Sequence, residues 1–148
     1  MVNFRGLLTD EQKQRVARLL RLAQGLFDSA ELGGSPTEYD IRNSNSRLYY
    51  AFFHACLALL LTIGWDIDRI SKDHGRVHDA VQARIGKPFG AFLRDLYRRR
   101  RLSDYDASLF EKEYGGDIEI ARQEAILLLK NAGTQFYWLY HETRKAIY

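Results

Sequence analysis

"SRLYYAFFHACLALLLTIGWD", residues 46–66, decides how the rest of the chain is read. From Arg47 to Ile63, apolar residues lie on nearly all sides of a helical wheel, and a helix that is apolar all round belongs at the centre of its fold. Gly64 follows as the expected C-cap. The run is shorter than the roughly 20 apolar residues a membrane span needs, and it carries His54, so it predicts a core helix and no membrane span. With Arg47 at zero and about 100° per residue, Tyr50, Ala51, His54, Ala58 and Leu61 share one stripe. Arg, Tyr and His on that stripe call for partners, because a buried polar group without one is costly. His54 alone reads first as a hydrogen-bonded core histidine and second as a catalytic group.

Helix signals continue on both sides, with no sustained strand-type alternation. Thr9 and Gln12 form a capping box, and Val16, Leu19, Leu20, Ala23, Phe27 and Ala30 keep the spacing of an amphipathic helix ending near Gly33-Gly34. Ser35-Pro36-Thr37-Glu38 is a second start, with serine as N-cap and glutamate at the third position. The "RNSNS" stretch after it is weakly helical. "WDIDRISKDHG" reads as a loop, "RVHDAVQARIG" as a short helix closed by Gly86, and "PFGAFLRDLYRRRR" as a helix opened by Pro88. "DASLFEKEYGGD" reads as a link. Asp117 caps a last long helix that buries Ala121, Ala125, Leu128, Leu129, Ala132, Phe136 and Leu139. The expectation is one all-α domain over residues 1–148, an antiparallel up-and-down bundle of four to five helices.

Composition fits that expectation. The chain has 148 residues, 46% hydrophobic and 28% charged, which excludes wholesale disorder. Its net charge of +3 permits nucleic-acid contact without demanding it. The single cysteine, Cys56, sits in the apolar run and reads as a buried thiol. The N-terminal stretch has no apolar secretory core, so a cytoplasmic, reducing setting is expected.

The four arginines 98–101 are not equivalent. If the helix runs through them, Phe89, Leu93, Leu96, Tyr97, Arg100 and Asp104 fall within roughly 50° of one direction. Arg98, Arg99 and Arg101 then form an outward basic face suited to phosphate or to solvent. Arg100 lies in line with the core and needs a partner, for which Asp104 is the nearest candidate. An Arg-then-Asp order near a helix C-terminus is the less favourable one, which points to a tertiary or functional reason for the pair. Arg47, Tyr50, His54, Arg100 and Asp104 can thus meet between two helices. A zinc reading of His74 and His78 is thin, since Gly75 breaks into their spacing and no cysteine cluster exists. A nuclear-localisation reading of the arginine run is also weak. No metal or cofactor is called for.

The motifs resemble the HEPN superfamily, in particular its small stand-alone prokaryotic branch. Ser46, Arg47, Tyr49, Tyr50, Ala51, Phe53, His54, Ala58, Leu59 and Leu60 match its signature helix, His74-Gly75 its histidine-glycine step, and Leu96, Tyr97, Arg100, Asp104 and Tyr105 its last motif, with Ser103 where alanine is usual. The resemblance spans roughly residues 9 to 142. It implies an antiparallel helical bundle, often a homodimer, that associates with a separate nucleotidyltransferase or with RNA or a nucleotide, in toxin-antitoxin or defence roles. It also implies that many members are metal-independent ribonucleases with an R-x4-6-H motif. Here Asp104 and Tyr105 stand where that histidine would be.

RNA cleavage by its own 2′-OH needs a base, an acid and positive charge on the phosphorane. Arg100 can supply charge, but an Asp near about 3.9 or a Tyr near about 10 is poorly matched to both proton roles. Two expectations follow. The first is a binding module, with Arg47, Tyr50, His74, Arg98, Arg99 and Arg101 facing nucleotide or RNA. The second is an endoribonuclease with Arg100, Asp104, Tyr105 and His54 as an atypical catalytic set. The aromatic C-terminal helix favours an interface and hence the first.

Overall fold

A computed structural model describes residues 8–105 and 107–148, with side chains described outside 105–110. Its helices are α1 (Asp10–Ser29), α2 (Glu38–Thr62), α3 (Ile67–Ile70), α4 (His74–Arg84), α5 (Lys87–Tyr105), α6 (Ala107–Tyr114) and α7 (Ile118–Lys145). The fold is an all-α helical bundle. Four long helices make it, and three short ones occupy the connections.

Side-chain pairs fix the directions. Arg47 Nη1 on α2 donates to the Ser29 carbonyl at the end of α1, while Arg15 near the start of α1 pairs with Asp68 beyond the end of α2. These two helices are therefore antiparallel. Asn45 meets Ser103 at one end of the α2–α5 contact and Phe52 meets Phe92 further along, so α5 is also antiparallel to α2. Arg99 to Glu124 and Phe89 to Trp138 set α7 antiparallel to α5. The long helices alternate up and down, and α2 lies against each of the other three.

That position explains α2's composition. From Leu48 to Thr62 only Tyr50 and His54 are not fully buried. Tyr49, Phe52, Leu59 and Leu60 are among the largest side chains with almost no exposure. Burying each stabilises the fold by roughly 1.5–3 kcal/mol before the entropy of ordering is subtracted. Burial pushes the Cys56 thiol up to about 12, which leaves it an inert core group. No described helix is long and apolar enough to cross a membrane.

Several boundaries differ from the sequence reading. α1 stops at Ser29, before the glycines, and the Ala30 carbonyl turns to accept from the Ser44 hydroxyl at 2.6 Å. α2 is capped by Thr37 rather than Ser35: Thr37 accepts from the Asp40 N–H and Asp40 accepts from the Thr37 N–H, a reciprocal box. α2 then runs unbroken through "RNSNS". α3 lies within the expected loop, and α6 within the expected link, where Tyr114 joins Ile41, Ala121 and Ala125 in a second small core.

At the far end of α2, Gly64 takes a φ of 95°, and the N–H groups of Gly64 and Trp65 bond back to the Leu61 and Leu60 carbonyls. This is the Schellman termination, and it brings Trp65 out of the helix beside α3 and α4.

Candidate functional site

The polar residues early in α2 hold their helical conformation because each has a partner on another element. Besides the Ser44 bond, Asn45 Nδ2 donates to Ser103 Oγ at 3.2 Å and Ser46 Oγ donates to Asp104 Oδ2 at 3.1 Å. Arg42 donates to the Leu102 and Ser103 carbonyls, placing a cation on the last turn of α5 where the helix dipole favours one. These contacts place the end of α5 on the first half of α2.

α5 continues through all four arginines, and helical phase separates them. Arg100 is 5% exposed. Its Nε donates to Asp104 Oδ2 at 3.2 Å, and the same carboxylate oxygen accepts from Ser46. The guanidinium carbon lies 5.6, 5.1 and 5.5 Å from the ring centres of Tyr49, Tyr50 and Tyr97. Three electron-rich rings thus surround a cation that cannot lose its proton. Asp104 is held from α2 as well as from α5, which accounts for the unfavourable Arg-then-Asp order.

The outer arginines do not form a bare basic face. Arg98 pairs with Asp95 and, at 2.9 Å, with Glu113 of α6; Arg99 is largely covered and pairs with Asp95 and Glu124. Arg101 is exposed, with its guanidinium 6.0 Å from the Tyr97 ring centre. The outward basic face is therefore corrected to a mixed-charge seam that joins α5 to α6 and α7.

On the other side of Tyr49 lie two histidines. Tyr49 Oη is 2.6 Å from His74 Nδ1 and 2.9 Å from His78 Nε2. A phenol has one proton, so Tyr49 donates to one imidazole and accepts from the N–H of the other. Burial raises the Tyr49 phenol far above its ordinary value despite the opposing charge of Arg100. Burial also pushes His78 down to about 4, helped by His74, and lowers His74, helped by Arg100. His74 stacks on Tyr97 with ring centres 5.3 Å apart and the planes 26° from parallel.

His74 and His78 share α4 because Gly75 falls in its first turn, where Asp73 caps by accepting the Arg76 N–H. Gly75 therefore does not interrupt the helix, and the i,i+4 pair is real. It converges on the Tyr49 phenol. Among the described residues no three His, Cys, Asp or Glu side chains gather as metal ligands.

Of the residues singled out in the sequence, Tyr50, His74, Arg100 and Asp104 come together. Arg47 does not join them, because it is exposed and bonded to the end of α1. His54 stands at the edge of the group: its Nδ1–H donates to the Tyr50 carbonyl at 2.7 Å and its ring centre lies 6.2 Å from that of Tyr50, with no hydrogen bond to Arg100 among the described residues. The Tyr105 side chain lies outside the described residues. Sequence reasoning met Tyr49 only in the signature helix and His78 only in the zinc reading, and placed neither in the site. The available signal was that a buried phenol on an all-apolar helix needs a partner, and an i,i+4 pair of histidines offers two.

No family model, no curated protein and no solved structure matches this chain. Its function must be argued from the site itself.

Proposed function

We propose that the protein is a noncatalytic binding module of the HEPN kind, dimeric, and working with a separate nucleotidyltransferase or with a nucleotide or RNA in a toxin-antitoxin or defence setting. The observation that carries this reading is the state of Arg100. It is buried among three tyrosine rings and tied to Asp104, so the cation that would stabilise a phosphorane is committed to holding α5 on α2. His54 gives its Nδ1 proton to its own helix and makes no described hydrogen bond with Arg100, so it lends the catalytic set no direct support. Exposed Ile120, Ile126, Leu127, Tyr137 and Trp138 along α7 support an interface role, since lone apolar residues are ordinary on a surface but five on one helix are not.

One observation favours a second reading, a metal-independent endoribonuclease. His74 and Arg100 meet the same Tyr97 and Tyr49 rings, so an imidazole kept neutral by burial does stand near the arginine. The histidine missing after the arginine run is then replaced in space by one from α4.

The two readings separate in one experiment. Purified protein is incubated with structured and single-stranded RNA, with and without chelator, beside His54→Ala, His74→Ala and Arg100→Lys variants, and its mass in solution is measured by light scattering. The binding module leaves RNA intact and elutes as a dimer. Chelator-resistant cleavage that disappears in His74→Ala while the variant stays folded replaces it with the nuclease.

A further inference from the structure

A second site lies at the opposite end of α2 from Asp104, where α2, α3 and α4 enclose a groove of about 1180 Å³. Its floor is apolar, formed by Ile63, Ile70 and Ala80, and Trp65 lines it from the Schellman turn. Arg69 of α3 and Arg76 and Arg84 of α4 line it with positive charge. All three are exposed, and none forms an ion pair with a described residue. That sets them apart from Arg15, Arg94, Arg98 and Arg99, each of which has a carboxylate partner. Arg76 and Arg84 are two turns apart on one face, about 12 Å along the helix, with small Ala80 and Ala83 leaving the space between them open.

The groove offers three chemistries side by side. The Arg84 guanidinium stands over the Trp65 ring at 5.8 Å, so a planar ring entering here meets an indole and a guanidinium, the two surfaces on which bases stack. Arg69 and Arg76 suit phosphate oxygens. Of the two carboxylates, Asp79 is held by Arg94, whereas Asp66 precedes α3 without capping it, leaving an acceptor for sugar hydroxyls. An acidic peptide would use the arginines and the apolar floor, but its carboxylates offer Asp66 no hydroxyl to accept from. A nucleotide uses all three.

We propose that this groove binds a ribonucleotide, with its base against Trp65, its phosphates on Arg69 and Arg76, and its ribose hydroxyls on Asp66. The site deepens the binding-module reading and rests on it for its biological sense. Physically it is separate from the Arg100 cluster. Free nucleotide and the nucleotides of a single-stranded RNA present the same chemistry to it.

The test is calorimetric titration of the full chain at physiological salt with each ribonucleoside triphosphate, with inorganic triphosphate and with a short single-stranded RNA. Saturable binding of a nucleoside triphosphate in the micromolar to sub-millimolar range is expected. It should weaken by about tenfold or more in Arg69→Gln/Arg76→Gln/Arg84→Gln, because charge-assisted phosphate contacts are lost. These residues are exposed, so an unchanged melting temperature certifies the fold. Asp66→Asn should narrow the preference for ribo- over deoxyribonucleotide, and Arg21→Gln, on the exposed side of α1, should change nothing. RNA that displaces the nucleotide identifies a strand as the source, and RNA that does not identifies free nucleotide. The proposal is overturned by no saturable binding of either, by binding that survives the triple variant, or by inorganic triphosphate binding as tightly as nucleotide. RNA cleavage by the wild type would remove the module reading and leave this site to stand or fall on the triple variant alone.

Discussion

The Arg100 guanidinium stands 5.1 Å from the centre of the Tyr50 ring while its Nε donates to Asp104. Arg100 is thereby both a stacking plane and an ion-pair donor, and lysine can replace only the second role. Arg100→Lys should destabilise the fold by about 1–2 kcal/mol and Arg100→Ala by about 3 kcal/mol, the larger value reflecting an Asp104 left without its cation and an emptied ring cage. Urea denaturation followed by circular dichroism measures both. Equal stability of wild type and Arg100→Lys would mean that the rings contribute nothing.

The Tyr49–His74–His78 chain makes stability depend on pH with a definite sign. His78 binds its proton near 4 in the fold and near its ordinary value of about 6.5 when unfolded, so the unfolded chain takes up more protons between those limits. The stabilising contribution is complete above about 6.5, falls as pH falls, and is exhausted near 4. Its size is on the order of 3 kcal/mol, and lowered His74 acts in the same direction. Thermal melts of wild type should lose stability through this window, and His78→Gln, which keeps a hydrogen-bonding group but does not titrate, should lose less. Parallel curves for the two proteins would remove His78 as the cause.

Much of the bundle is legible in the sequence because it rests on local rules. The Thr9 box, the all-apolar α2, the Asp117 cap and the buried stripe of α7 follow from capping chemistry and period, and only Leu129 of that stripe is less than fully buried. Helical phase likewise singled out Arg100 from its neighbours. What local rules cannot supply is the tertiary partner. "RNSNS" reads as weakly helical because serine and asparagine compete with the backbone, yet here their side chains are engaged by Ala30, Ser103 and Asp104. The same blindness sent Arg47 to the site and left Tyr49 and His78 out of it. Phase on one helix gives a direction, not the identity of what lies there.

The interior serine gives that point a measurable form. Ser44 is buried, and its hydroxyl donates to the Ala30 carbonyl at 2.6 Å, where α1 has ended and no helical N–H reaches that oxygen. Ser44→Ala raises intrinsic helix propensity by a few tenths of a kcal/mol but leaves a buried carbonyl unsatisfied, at about 1–2 kcal/mol. The net expectation is destabilisation of about 1 kcal/mol, read from the urea midpoint at unchanged slope. A stabilised variant would show that propensity outweighs the tertiary bond.

Two glycines inside helices predict opposite outcomes from one substitution. At Gly90 of α5 an added Cβ would lie 2.7 Å from Gln82 Cβ and 3.0 Å from its Cα, so the obstruction is α4 itself and not a side chain that can swing away. This is the approach that brings His74 and His78 beside Tyr97. Gly90→Ala should therefore destabilise by about 1–3 kcal/mol even after the helix-propensity gain, and it should alter the near-ultraviolet signal of the tyrosine cluster. Gly25, exposed in the middle of α1, meets nothing within 4 Å. Gly25→Ala should stabilise by about 1 kcal/mol through propensity alone. If Gly90→Ala melts no lower than Gly25→Ala, α4 and α5 do not approach as closely as described, and the histidine–tyrosine cluster that depends on their contact loses its support.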